Sequence, residues 1–151
     1  MEERHGIVWV PLQRCSYTTL KDLGFNVFHS GVTAHVVNLS QNLLTCVTVI
    51  LYAPKFLTEL RLGSNSFNGK FPSKILKLDH LKKIYFLHNT RISGNFPSDI
   101  INVTGLIDME MSFTSLHGNI SSKFGLIEDL HYLGMDKTHI RGPIPTDMEY
   151  V

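Results

Sequence analysis

Apolar residues return along this chain in a fixed phrase. It reads L-x-x-(apolar)-x-(apolar)-x-x-(N or T), then apolar-x-Gly-x-apolar, usually closed by Pro. Copies begin at Leu57, Leu81, Leu106 and Leu130, spaced 24, 25 and 24 residues apart. Leu60, Ile84, Met109 and Leu133 share a second column, and Leu62, Phe86, Met111 and Met135 a third. A fixed period of this length marks a stacked repeat, in which each unit buries its apolar side only against its neighbours. Leu60 and Leu62 alternate with Glu59, Arg61 and Gly63, the period-two pattern of a short strand with one buried face.

Three residues past the third column stand Asn65, Asn89, Thr114 and Thr138. A coil must turn a corner there, and a short amide or hydroxyl bonds backbone groups that the turn leaves unpaired. Gly69, Gly94, Gly118 and Gly142 follow, at a position that tolerates no Cβ or needs positive φ. Pro72, Pro97 and Pro145 share a column with Ser121. The next residue is Ser73, Ser98, Ser122 or Thr146, a good helix N-cap in each copy. Apolar pairs at helical spacing come next: Ile75 with Leu78, Ile100 with Val103, Phe124 with Ile127, Met148 with Val151. Each unit therefore reads strand, corner, extended segment, short helical turn. The second unit carries one extra residue between Asn89 and Ile92, which predicts a local bulge with Asn89 kept in the corner column. Upstream, Val37, Leu39, Asn42 and Leu44 fit a degenerate unit, with Cys46 in the Gly position and no Pro. The division expected is a non-repeat segment over 1–33, with the character of a degenerate cap, and a solenoid over 34–151.

These residues resemble the plant-specific type of leucine-rich repeat, L-x-x-L-x-L-x-x-N-x-L-x-G-x-I-P, over about Leu57 to Val151. Four copies in register make the resemblance specific. It implies an α/β solenoid: a right-handed arc with a parallel sheet on the concave side and short helical or irregular segments on the convex side. It also implies recognition of a protein or peptide by the concave strands, as in receptor-like kinases, receptor-like proteins and inhibitors of secreted hydrolases. The family's N-terminal cap often carries a close cysteine pair beside a Trp; Trp9 and Cys15 match it only in part, because the pair is absent.

Composition narrows the partners. At 151 residues and 43% hydrophobic the chain suffices for one domain. A formal net charge of +1 suggests no nucleic acid or other polyanion. No apolar run approaches membrane-spanning length, and MEERHGIVWVPLQR makes a poor signal peptide because it opens acidic and breaks at Pro11. The sequons at Asn38, Asn102 and Asn119 suit a secreted protein. Cys15 and Cys46 are the only cysteines; a bridge between them stays open, with two free thiols the favoured reading. The repeat type thus points outside the cell or to a membrane surface, while export signals are missing, and the compartment stays open. The chain ends three residues before another Leu is due, which suggests a fragment of a longer receptor or a solenoid with an uncapped apolar end.

The outward strand positions are the candidate binding residues. One column holds Glu59, Lys83, Asp108 and Tyr132, the next Arg61, Tyr85, Glu110 and Gly134, and a third Gly63, Leu87, Ser112 and Asp136. Tyr85 and Tyr132 offer rigid contact area with a polar tip. Arg61 and Lys83 lie on early units and Asp108, Glu110 and Asp136 on later ones, a charge gradient that would orient a partner. The alternative account of this face is a solvated sheet with cross-strand pairs such as Arg61 with Tyr85.

No catalytic or metal motif emerges. The eight histidines do not share columns: His88, His117 and His139 fall at different offsets, so no ladder is expected. There is no H-E-x-x-H, C-x-x-C or G-x-S-x-G, and Asp108 with Glu110 reads as surface carboxylates rather than an acid pair. The expectation is a non-enzymatic recognition module with a protein or peptide ligand and no cofactor. The alternatives are a hydrolase inhibitor and an assembly element that self-associates through uncapped ends. Five units at ~4.8 Å per strand give an arc about 20 Å long at the sheet.

Overall fold

The computed structural model describes residues 7–9, 35–45 and 56–148. Cys15, Cys46 and Val151 lie outside the described residues, as does most of 1–33. Each of the four clear repeats contributes one strand to each of two sheets. The larger sheet has six strands in the order β1-β2-β3-β5-β7-β9, all parallel: β1 (Ile7–Trp9), β2 (Val36–Asn38), β3 (Glu59–Arg61), β5 (Lys83–Tyr85), β7 (Asp108–Glu110) and β9 (Tyr132–Gly134). Its register follows the sequence columns, with Leu60 opposite Ile84, Ile84 opposite Met109 and Met109 opposite Leu133. Val37 of the degenerate unit lies opposite Leu60. Strand β1 comes from the stretch that fits no repeat, yet it extends the sheet beyond β2.

The repeat pattern does not announce the second sheet. The segment around each Gly forms strands β4 (Asn68–Lys70), β6 (Arg91–Asn95), β8 (Ser115–Gly118) and β10 (His139–Ile140), again parallel. Here the register departs from the columns. Gly69 faces Ile92, Gly94 faces Leu116 and Gly118 faces Ile140, so every step slips two positions off the repeat. The glycines sit at φ +91, +99, +95 and +95. A Cβ on Gly69 would meet nothing within 4 Å, so there the backbone angle and not space requires glycine.

Between the sheets lies one apolar core. The starting leucines are buried, and so are Leu60, Ile84, Met109, Leu62, Phe86, Met111, Phe67, Ile92 and Leu116. Each fully buried side chain of this size contributes about 1.5–3 kcal/mol. Phe86 touches Phe67 and Phe71 with ring centroids 6.1 and 5.3 Å apart, linking successive coils. Burial weakens in the last described coil, where Leu133, Met135 and Ile140 are only partly covered and Ile144 is exposed.

The helical turns are 3₁₀, at Ser73–Lys77, Ser98–Asn102, Ser122–Leu126 and Thr146–Met148. The caps of the first three fall one residue earlier than the sequence suggests. Pro72 and Pro97 cap the first two with no side-chain bond, while Ser121 accepts from the Lys123 amide at 3.2 Å. The carbonyls of Pro72, Pro97, Ser121 and Pro145 accept the first i→i+3 bonds, which explains why Pro is tolerated: only its C=O is needed. The extra residue of the second unit is taken up by a turn, not a strand bulge, closed by the Ile92 amide donating to Asn89 O at 2.9 Å.

Candidate functional site

The corner after each large-sheet strand is built from two columns. Gln41, Ser64, His88, Phe113 and Lys137 all adopt positive φ, between 53° and 59°. This costs on the order of 1 kcal/mol for each non-glycine residue. The next residue secures the turn. Asn65 donates to Leu39 O at 2.8 Å and Leu62 O at 3.0 Å, and accepts from the Leu44 amide at 3.0 Å. Asn89 repeats the pattern one coil on, with Leu62 O at 3.0 Å, Phe86 O at 2.8 Å and the Phe67 amide at 3.4 Å. Each Asn therefore ties two coils together. Thr114 and Thr138 reach only their own coil, donating at 2.8 Å to Met111 O and Met135 O.

These corners hold the outward face of the larger sheet in place. Glu59, Lys83, Asp108 and Tyr132 are register neighbours, as are Arg61, Tyr85, Glu110 and Gly134. Pairing continues beyond the strand ends, where the His88 amide donates to Ser112 O at 3.0 Å and the Phe113 amide to Asp136 O at 2.8 Å. The third column, Gly63, Leu87, Ser112 and Asp136, thus remains part of the same surface.

Most charges on this face are already matched. Lys83 Nζ lies 2.8 Å from Asp108 Oδ2, and the Tyr85 hydroxyl donates to that same oxygen at 2.9 Å. The Lys83 ammonium holds the Asp108 carboxyl below its ordinary pKa, and the same bond raises Lys83. Burial, then the bond to Asp108, raises the Tyr85 phenol. Arg61 pairs with Glu59 within its own strand and lies 5.5 Å from the centre of the Tyr85 ring. The expected charge gradient is therefore largely cancelled by local pairs in the first coils.

The later coils differ. Glu110 accepts from the Ser112 amide at 2.7 Å and from the Tyr132 hydroxyl at 2.5 Å. Burial pushes its carboxyl up, but the Ser112 side chain, the Tyr132 hydroxyl and the Ser112 amide together outweigh that and leave it below its ordinary value. The bond to Glu110 in turn raises the Tyr132 phenol. Gly134 makes room, since a Cβ there would collide with the Glu110 carboxylate. Asp136 is exposed, and among the described residues its carboxylate has no ion-pair partner.

At the other end the face deepens into a groove of about 430 Å³, lined by Asn38, Ser40, Gln41, Arg61, Gly63, Ser64, Tyr85 and Leu87. Leu87 folds across Gly63, where a Cβ would come within 2.6 Å of its Cδ2. Sequence columns place Arg61 and Tyr85 here but leave out Asn38, Ser40 and Gln41. The signal was available: Asn38 and Ser40 occupy the outward positions of the degenerate unit. Among the described residues there is no group of three metal-ligating side chains, and no helix long and apolar enough to cross a membrane.

Two stacked parallel sheets joined by corner amides and 3₁₀ turns define a repeat solenoid. Its columns match the plant-specific type of leucine-rich repeat, and its fold is that of solved plant leucine-rich-repeat ectodomains. No protein-family model and no curated protein matches the chain. Solved structures do. The ectodomain of the Arabidopsis receptor kinase HAESA, in complex with an N-terminally extended IDA peptide hormone, is 28% identical with a TM-score of 0.68. That match covers 76% of this chain and 19% of the HAESA ectodomain chain, so this chain spans about a fifth of that relative's length. A chain of the BIR3–SERK2 complex from Arabidopsis thaliana is 21% identical, TM-score 0.67, covering 79% of this chain and 64% of that one. The plant peptide hormone receptor RGFR1, in complex with RGF2, is 24% identical, TM-score 0.58, covering 78% and 23%. The last two likenesses concern the fold.

Proposed function

We propose that this chain is a non-enzymatic recognition module for a protein or peptide, part of or derived from a receptor-like protein. In this reading the solenoid is a right-handed arc and the outward face of the larger sheet is its concave, ligand-binding side. The observation that carries the reading is the groove at Arg61, Gly63, Tyr85 and Leu87. It opens on the sheet face, has a volume within the range of ligand-binding clefts, and is lined by both apolar and polar residues. HAESA, the similar ectodomain, is solved with a peptide hormone bound, which supports a peptide ligand here. An extended peptide would lie across the strands, with Tyr85 and Tyr132 as rigid contacts and Glu59, Arg61, Lys83, Asp108, Glu110 and Asp136 as the polar setting.

The test is selection of displayed random peptides against the intact chain, followed by titration of the enriched peptides. Tyr85→Ala should weaken them at least tenfold, and Lys123→Ala, on the 3₁₀ turn, should not. Enriched peptides that bind Tyr85→Ala and Tyr132→Ala as tightly as the parent would refute the assignment.

A further inference from the structure

The sequence columns keep the histidines apart, but the slipped register of the smaller sheet brings two of them together. His139 on β10 lies directly opposite His117 on β8. They are 22 positions apart, where neighbours on the larger sheet such as Asp108 and Tyr132 are 24 apart. On both strands the alternation turns them outward. Leu116 is buried and Ile140 is partly packed on the core, while His117 and His139 are exposed. Residues opposite one another in a parallel pair project to the same side, with strands ~4.8 Å apart.

A second observation separates these two from the other described histidines. His131 Nδ1 is 2.6 Å from Asp129 O, His88 stacks on Phe113 at 4.3 Å, His80 stacks on Phe56 at 5.6 Å, and His35 has an interaction of its own. Neither the His117 nor the His139 imidazole has a hydrogen-bond, ion-pair or stacking partner among the described residues. Their ring nitrogens are available on adjacent side chains of one surface row, which Asn95, opposite His117, continues with a neutral amide.

We propose that His117 and His139 form a surface site for a divalent transition-metal ion of the imidazole-preferring kind, Cu²⁺, Ni²⁺ or Zn²⁺. Imidazole nitrogens bind such ions at about 2.0–2.1 Å, a span that two rings on neighbouring strands can close around one ion. Water completes the coordination, because no group of three or more ligating residues exists among the described residues. Arg141, exposed two residues beyond His139, opposes the ion's charge. Two protein ligands and an opposing cation set the affinity in the micromolar range rather than tighter. Binding ties the two-residue strand β10 to β8 and so stiffens the last described coil of the smaller sheet.

The test uses the intact chain and the metals alone. Cu²⁺, Ni²⁺ and Zn²⁺ are titrated calorimetrically, and sub-stoichiometric Cu²⁺ is added while the histidine ring protons are followed by NMR. The His117 and His139 resonances should broaden first. His117→Gln or His139→Gln should each weaken the tightest component at least tenfold, with His88→Gln and His131→Gln leaving it unchanged. Melting without metal should be the same for His117→Gln, His139→Gln and the parent, and Zn²⁺ should raise it only where both histidines are present. Equal metal affinity in His117→Gln and parent, or no selective broadening up to millimolar Cu²⁺, overturns the proposal.

Discussion

At the scale of single residues, the corner column shows how one side-chain atom changes the reach of a repeat. The Asn89 amide donates to the preceding coil and to its own, and its oxygen accepts from the preceding coil, all within a fully buried site. Thr114 has one hydroxyl and keeps only the bond within its own coil. Asn89→Ala strands the Leu62 and Phe86 carbonyls, and each buried unsatisfied group costs about 1–3 kcal/mol. Urea unfolding should show Asn89→Ala losing at least ~2 kcal/mol, with Asn89→Thr falling between it and the parent. Glycines divide in the same way. Gly94 sits at φ +99, whereas Gly105 has ordinary φ and open space where a methyl would go, with nothing within 4 Å. Gly94→Ala should cost about 1–2 kcal/mol and Gly105→Ala should lie within about 0.5 kcal/mol of the parent, or above it, in the same unfolding series. The corner asparagines were legible in the sequence because they occupy a fixed column. The positive φ one residue earlier was not, because Gln41, Ser64, His88, Phe113 and Lys137 share no side-chain chemistry.

At the scale of elements, strands β5 and β7 are joined by more than their backbone ladder. Lys83 and Tyr85 both bind Asp108, which keeps that carboxyl ionised to lower pH. A carboxylate depressed in the folded state contributes stability that is present above its unfolded value, about 3.9, and is lost as pH falls through the folded value. The gap in stability between parent and Asp108→Asn should therefore be full at pH 6 and close progressively below about pH 4. In the variant the Tyr85 phenol should also titrate lower than in the parent, as read by its absorbance near 295 nm, because the carboxylate that disfavours phenolate is gone. A gap that is constant from pH 7 to pH 2 contradicts this pairing. The sequence supplied the columns that place Lys83, Asp108 and Tyr85 side by side. Which oxygen both donors choose depends on rotamers that only the folded sheet sets. The prolines make a similar point: the sequence marks Ser73 and Ser98 as caps, and the fold instead uses the carbonyls of Pro72 and Pro97.

At the scale of the whole molecule, stability comes from contacts between successive coils, so damage to one coil is felt by its neighbours. Phe86 is the clearest case, fully buried and in ring contact with Phe67 and Phe71 of the preceding unit. Phe86→Ala should cost about 3–5 kcal/mol, and amide exchange should quicken in β3 as well as β5. Protection lost in β5 alone would mean the coils are energetically independent. The sequence by itself determined the repeat, the buried columns, the register of the larger sheet and the corner amides, because each recurs at the period of the stack. Tertiary structure decided what does not follow that period. It added the second sheet and its two-position slip, the groove lined in part by Gly63 and Leu87, and the meeting of His117 with His139. The reason is physical: columns record which residues occupy the same place in successive coils, whereas the register in which one coil pairs with the next settles which of them become neighbours.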